Sequence, residues 1–194
     1  GAIGTVDAVA GGDIYVGAID DIGTVTADGG YVGVVSDLGA IGVVDATGEA
    51  GVVVEASDNI GEVTASGYFV EVDSYFGDIG TVTANTLGAG TDGATVTVHA
   101  HMGGITSVDA TAGDYIQVTA RDDIGSVTAT SSDGYVDVIA VDGSVGSVTA
   151  TAEDGYVYVL AGEDVTSVTA TAQDVEVIAD DGSVGSVTAT AEDG

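Results

Sequence analysis

Residues 145–161 read VGSVTATAEDGYVYVLA. Val148 and Ala150 alternate with Ser147, Thr149 and Thr151, a two-residue period that gives a strand one apolar face and one hydroxyl face. Glu153-Asp154-Gly155 reads as a turn, and Val157, Val159 and Ala161 resume the alternation as a second strand. Gly162-Glu163-Asp164 then leads to Val165, where the pattern begins again.

The same unit recurs along the chain. It opens at Ile3, Ile22, Ile41, Ile60, Ile79, Ile105, Ile124, Val145, Val165 and Val184. These openings are nearly evenly spaced, and the one long step runs from Ile79 to Ile105. Glycine follows in eight of the ten cases, and Thr106 and Thr166 replace it in the others. This pair breaks the two-residue parity and marks a corner, where glycine is expected for its access to positive φ. A unit so short cannot bury its own apolar face and must stack on its neighbours.

First-strand inward pairs run from Val6/Ala8 and Val25/Ala27 to Val168/Ala170 and Val187/Ala189. Second-strand inward sets include Ile14/Val16/Ala18, Val32/Val34/Ser36, Val96/Val98/Ala100, Ile116/Val118/Ala120 and Val175/Val177/Ala179. Ala or Ser closes each strand, so two sheets must approach closely there. Helix is disfavoured, because Val, Thr and Gly are poor helix formers and no 3.6-residue stripe appears. The expected fold is all-β: a parallel β-solenoid, a flattened two-sheet β-helix or β-roll of about ten uncapped coils of ~19–20 residues. It forms one domain over residues 1–194, with a loop insertion at about 85–93. Ten rungs at roughly 4.8 Å make a rod about 48 Å long.

Composition narrows the function classes. Hydrophobic residues make up 45% of the chain, too many for disorder, while aromatics are only 5%, so the core must be narrow and built from small β-branched side chains. There are 32 acids against one base, Arg121, a formal charge of −31 that leaves nothing to neutralise phosphate. Nucleic acid is excluded as a partner on that ground, anionic membrane surfaces are disfavoured, and no apolar run is long enough for membrane insertion. With no Cys, disulfides are not available as staples. The chain opens at Gly1 rather than Met, so it is expected to be processed or part of something longer.

Three ladders follow from stacking the coils. The first is hydroxyl: Thr24/Thr26 and Thr81/Thr83 in early coils, then Thr128/Thr130, Thr149/Thr151, Thr169/Thr171 and Thr188/Thr190, with Ser126, Ser147, Ser167 and Ser186 beside them. This face resembles the Thr-x-Thr surface of β-solenoid ice-binding proteins, which implies ordering of water, though the same lattice suits glycan or lateral packing of rods. Asp7, Asp45, Asp109, Glu62 and Val43 depart from that pattern. The second ladder is acidic and lies at the corner before each first strand, with Asp37, Asp58, Asp78, Asp123, Asp142, Asp164 and Asp181 as candidate Ca²⁺ ligands. Stacked like charges at about 4.8 Å repel by roughly 1 kcal/mol per neighbour even in water, which favours a bound cation, while the same ladder equally suits a solvated acidic edge that keeps the rod soluble or fits high salt. Gly11-Gly12-Asp13 and Asp28-Gly29-Gly30 resemble the turns of RTX calcium repeats without completing their Gly-Gly-x-Gly-x-Asp pattern. The third ladder is aromatic, Tyr115, Tyr135 and Tyr156, with Tyr31 and Tyr68 at related places, and is expected to support rung register.

Two smaller signals complete the reading. His99 and His101 lie two apart, on one face if the strand extends that far, and no third metal ligand is specified near them. Arg121 sits beside Asp122 and Asp123 and is expected to neutralise part of the acidic corner. No Ser-His-Asp, Cys-His or phosphate-binding loop appears, and coils this uniform form no cleft, so no enzyme is expected.

The composition looks like microbial sheath and surface-layer material. Together with rungs that lack a polar or helical cap, it leads to the expectation of an extracellular structural protein that associates with itself. End-to-end stacking would join Val187 and Ala189 of one copy to Val6 and Ala8 of the next.

Overall fold

Val/Thr alternation folds here as the repeat demands. The computed structural model describes residues 1–86 and 93–191, and within them it is an all-β parallel solenoid of about ten coils. The strands are β1 (Ile3–Val9), β2 (Ile14–Ala18), β3 (Ile22–Ser36), β4 (Ile41–Ala56), β5 (Ile60–Gly67), β6 (Phe69–Ser74), β7 (Ile79–Thr86) and β8 (Thr95–Ala100). They continue with β9 (Ile105–Ala112), β10 (Tyr115–Ala120), β11 (Ile124–Ser131), β12 (Val136–Ala140), β13 (Val145–Ala161), β14 (Val165–Ala179) and β15 (Val184–Ala191). Of the loop expected at about 85–93, residues 87–92 lie outside the described residues, Asn85 and Thr86 extend β7, and Gly93 stands in a turn.

Both faces hold a single register. In the first sheet, Ile3 pairs with Ile22, then Ile41, Ile60, Ile79, Ile105, Ile124, Val145, Val165 and Val184, so the ten opening residues form one column. In the second, Ile14, Val32, Val52, Val70, Val96, Ile116, Val136, Val157 and Val175 form another. Between the sheets lies a dry layer of Val, Ile and Ala, nearly all fully buried. The alanines that close the second strands, such as Ala100, Ala120 and Ala140, are buried completely. Where Ser replaces them, the hydroxyl is used. Ser36 Oγ donates to the Asp20 carbonyl at 2.8 Å, Ser74 Oγ to the Asp58 carbonyl at 2.9 Å, and each accepts a backbone N–H three residues on.

The structure corrects two local expectations. Glu153-Asp154-Gly155 does not break the chain into two strands; β13, like β3, β4 and β14, runs on through the corner in extended conformation. Coils of different length are reconciled there by register shifts, between Gly29 and Tyr31 and between Ala152 and Tyr156. The corner glycines are not needed for positive φ either; among the described residues only Gly93 has it, at 87°. Their reason is contact. A Cβ on Gly23, Gly42, Gly61 or Gly80 would collide with the carbonyl oxygen of the corner glycine one coil earlier. Glycine lets successive backbones close to rung distance, while Thr106 and Thr166 mark two coils that accept a side chain at that corner.

Gly61→Ala should therefore lower stability by about 1–3 kcal/mol, the usual penalty of overpacking. Gly4→Ala, at the same corner with nothing within 4 Å of its Cβ position, should be close to neutral. Thermal unfolding followed by circular dichroism compares the two, and equal shifts in Tm would refute the contact explanation.

Candidate functional site

The hydroxyl face is assembled by register alone. Thr128, Thr149, Thr169 and Thr188 stand in one column, Thr130, Thr151, Thr171 and Thr190 in the next, and Ser126, Ser147, Ser167 and Ser186 in a third. No charge interrupts these three columns over β11, β13, β14 and β15. Earlier the lattice is broken: Thr24 pairs with Val43, Thr26 with Asp45, Thr81 with Glu62, and Thr83 with Asp109. Ser107 Oγ donates to Thr81 Oγ1 at 3.2 Å, the kind of hydroxyl pair that supports neighbouring strands.

The acidic residues do not make one column. Asp78, Asp123 and Asp164 immediately precede the opening Ile or Val, Asp58 lies one place further back, Asp142 and Asp181 two, and Asp37 three. Position decides their use. Asp21, Asn59, Asp78, Asp123 and Asp164 each accept, through Oδ1, the backbone N–H of the equivalent residue one coil later: Ala40 at 3.0 Å, Asp78 at 2.7 Å, Gly104 at 2.9 Å, Ser144 at 2.7 Å and Ser183 at 2.7 Å. The backbone and hydroxyl of Ser183 accordingly hold the Asp164 carboxyl below its ordinary value. Four of the five donors are neutral Ala, Gly or Ser positions, so carboxylates alternate with small residues and the stacked repulsion is diluted. Arg121 neutralises this corner differently from the expectation. Its Nε bonds Asp142 Oδ2 at 2.9 Å, one coil onward, rather than Asp122 or Asp123 beside it.

Tyr115 and Tyr31 belong to two separate stacks. Tyr115, Tyr135 and Tyr156 follow one another with ring centroids 4.7 and 4.8 Å apart, as their spacing predicts. Tyr31 lies 5.5 Å from Tyr15 and 6.3 Å from Phe69. The residue in that second stack is thus Phe69 rather than Tyr68, and Gly51 leaves the space its ring occupies.

On the outer face of the second sheet, the histidines find the partner that sequence did not specify. His99 lies on β8 opposite Asp73 of β6, and Asp73 lies opposite Glu55 of β4. His99 and His101 stack with centroids 3.8 Å apart, and Tyr75 stacks on His101 at 5.0 Å. His101 Nε2 is 3.9 Å from Asp73 Oδ1. Among the described residues, Asp73, His99 and His101 are the one group of three whose ligand atoms converge; no three corner carboxylates do so. Burial pushes the Asp73 carboxyl up, against the opposing influence of His101 and a hydrogen bond from Glu71. Burial also raises Glu71, with the Asp73 charge adding to it, and lowers His99, with His101 adding to that. The signal that could have found Asp73 was the repeat register, which sets position 73 over position 99 once the long step from Ile79 to Ile105 is aligned.

No family model matches this chain, and no curated protein or solved structure matches it.

Asp137, on the outer face of β12, has an Oδ1 that is buried without a hydrogen-bond partner, and burial raises its carboxyl above the ordinary value. A carboxyl raised on folding weakens the native state at neutral pH; that loss is relieved as pH falls through the folded value and is gone below the unfolded one. Asp137→Asn should raise stability at neutral pH by about 1 kcal/mol, the low end for relief of an unsatisfied buried group. It should also show a smaller gain on acidification than the parent. A lower Tm for the variant at neutral pH would contradict the assignment.

Proposed function

We propose that this chain is a structural β-solenoid that associates with itself, end to end and side by side, into an extracellular cell-surface polymer such as a sheath, surface layer, filament or adhesin stalk. The observation that carries the reading is the single register that runs through every described coil, which a further coil of this chain or of another copy would continue. The residues that are fully buried inside the rod, such as Val63 and Val82 at 0% exposure, have column-mates Val187 at 45% on β15 and a partly buried Val6 on β1. Ile3, Val6 and Ala8 occupy the same columns as Val184, Val187 and Ala189, so β1 of a second copy laid on β15 continues every column in register. A further coil, wherever it comes from, buries these valines and pairs the free strand edges.

The junction is carried by the first sheet. β1 and β15 both belong to that sheet. Lateral contact between flat faces, each already fixed in register, supplies the remaining area. The acidic exterior keeps separate rods soluble and suits an environment rich in cations.

A second reading rests on the uninterrupted Ser/Thr lattice over β11, β13, β14 and β15, and takes the protein as ice-binding through that face. Thr149→Tyr and Thr169→Tyr would spoil the lattice without touching the core, and thermal hysteresis lost in both variants is its expected outcome. A protein without hysteresis removes this reading.

For the polymer, negative-stain electron microscopy of the purified chain is the direct test. Filaments or sheets are expected from the parent, and dispersed short rods from Val187→Asp and Thr188→Pro, with circular dichroism showing the central coils intact. Short rods from the parent itself, or assembly unchanged in both variants, would overturn end-to-end stacking.

A further inference from the structure

The chain has two histidines, and both stand where the uniform coil pattern is broken. Pairing of β6 with β8 sets His99 across from Asp73, and His101 follows Ala100 to the same outer side. One ligand atom from each of Asp73, His99 and His101 lies within 4.8 Å of the other two. We propose that these three residues form a binding site for a divalent transition-metal ion of the Zn²⁺ or Cu²⁺ class, held by two imidazole nitrogens and one carboxylate oxygen.

The donor set selects the class of ion. Imidazole suits Zn²⁺, Cu²⁺ and Ni²⁺, whereas Ca²⁺ and Mg²⁺ demand several oxygens, which this cluster does not bring together. Geometry asks for little. A tetrahedral ion with bonds of about 2.0–2.2 Å holds its ligand atoms roughly 3.4 Å apart. Closing the cluster on an ion therefore takes only a small side-chain movement, starting from the 3.9 Å between His101 Nε2 and Asp73 Oδ1. Asp73 and His99 sit on the paired strands β6 and β8, and His101, just past the end of β8, is tied to β6 by its backbone N–H, which donates to the Ser74 carbonyl at 2.9 Å.

The surroundings fit a cation as well. Glu55 lies beside Asp73 across the rung, and Glu71, two residues earlier on β6, shares a hydrogen bond with the Asp73 carboxyl. Tyr75 packs flat on the His101 ring, 6° from parallel, and limits its rotation. A groove bounded by Thr119, Arg121 and Val141 opens beside both histidines, on the side of β8 away from Asp73. Arg121 is turned to Asp142 rather than to the cluster, so its charge is already compensated.

The test is a titration of the intact chain with Zn²⁺ alone as the probe, in excess Ca²⁺ to occupy exposed carboxylates. Calorimetry reads the affinity and proton NMR follows the imidazole signals, which only these two residues can give. One Zn²⁺ per chain is expected, with both sets of imidazole signals shifted. His101→Ala and Asp73→Asn should each weaken binding at least about tenfold, the smallest loss usual for disturbing even the surroundings of a metal site. Their circular dichroism should remain that of the parent. Imidazole signals that stay unmoved at saturating Zn²⁺ would overturn the site, and that readout stands on the parent chain even if a variant fails to fold. Unchanged affinity in a folded His101→Ala chain would do the same, by showing that the ion sits on carboxylates elsewhere.

Discussion

Parallel coils can pair only if each residue lands over its equivalent one rung away, because the two-residue alternation turns every one-place slip into an exchange of buried and exposed faces. All else in this rod answers to that requirement. The opening Ile/Val column and the second-strand Val column run through the described residues without a slip, although the units differ in length. The excess is taken up at corners, as the register shift after Ala152 shows, and the sheets are left untouched. A core only one Val or Ala deep from each side tolerates nothing else, since it has no large side chains to repack around an error.

The same requirement explains how so acidic a chain stacks at all. A strict column of carboxylates at rung spacing would repel along the whole length of the rod. Here the acids are distributed over several corner positions, and the set at the place before the opening residue is diluted by Ala, Gly and Ser. Those carboxylates are also put to use. By accepting the N–H of the next coil, Asp21, Asp78, Asp123 and Asp164 satisfy backbone donors at a corner where the ordinary ladder is interrupted. Negative charge is thus placed on hydrogen-bond donors, and the ladder holds coils together at the points where electrostatics alone would part them.

Uniformity and its exceptions divide the functional reading. Columns of Thr, Val and Ala repeated coil after coil describe a scaffold, with faces set by the period and edges ready to accept another rung. The exceptions are concentrated. His99 and His101 belong to the lengthened coil that opens at Ile79, and the coil before it supplies Glu71, Asp73 and Tyr75. A rigid, repetitive rod is a good mount for such a cluster, because strand pairing fixes the separation of its ligands before any ion arrives.

The fold was legible in the sequence because its causes are local. Alternation in Val148/Ala150 and Val157/Val159, and the regular return of Ile or Val, specify two strands per coil and a stacked array without reference to any distant residue. The hydroxyl columns and the Tyr115–Tyr135–Tyr156 stack follow by counting, since equal spacing puts equivalent residues in contact. Contacts between coils that are not equivalent had to come from the tertiary structure. It turned Arg121 to Asp142, put Phe69 in place of Tyr68 in the ring stack, and gave the corner glycines a steric reason in place of a dihedral one. It also brought His101 to Asp73 across the lengthened coil. Sequence periodicity determines which residues share a column; only the closed coil, with its corners and rung spacing realised in three dimensions, decides which side chains from different columns reach one another.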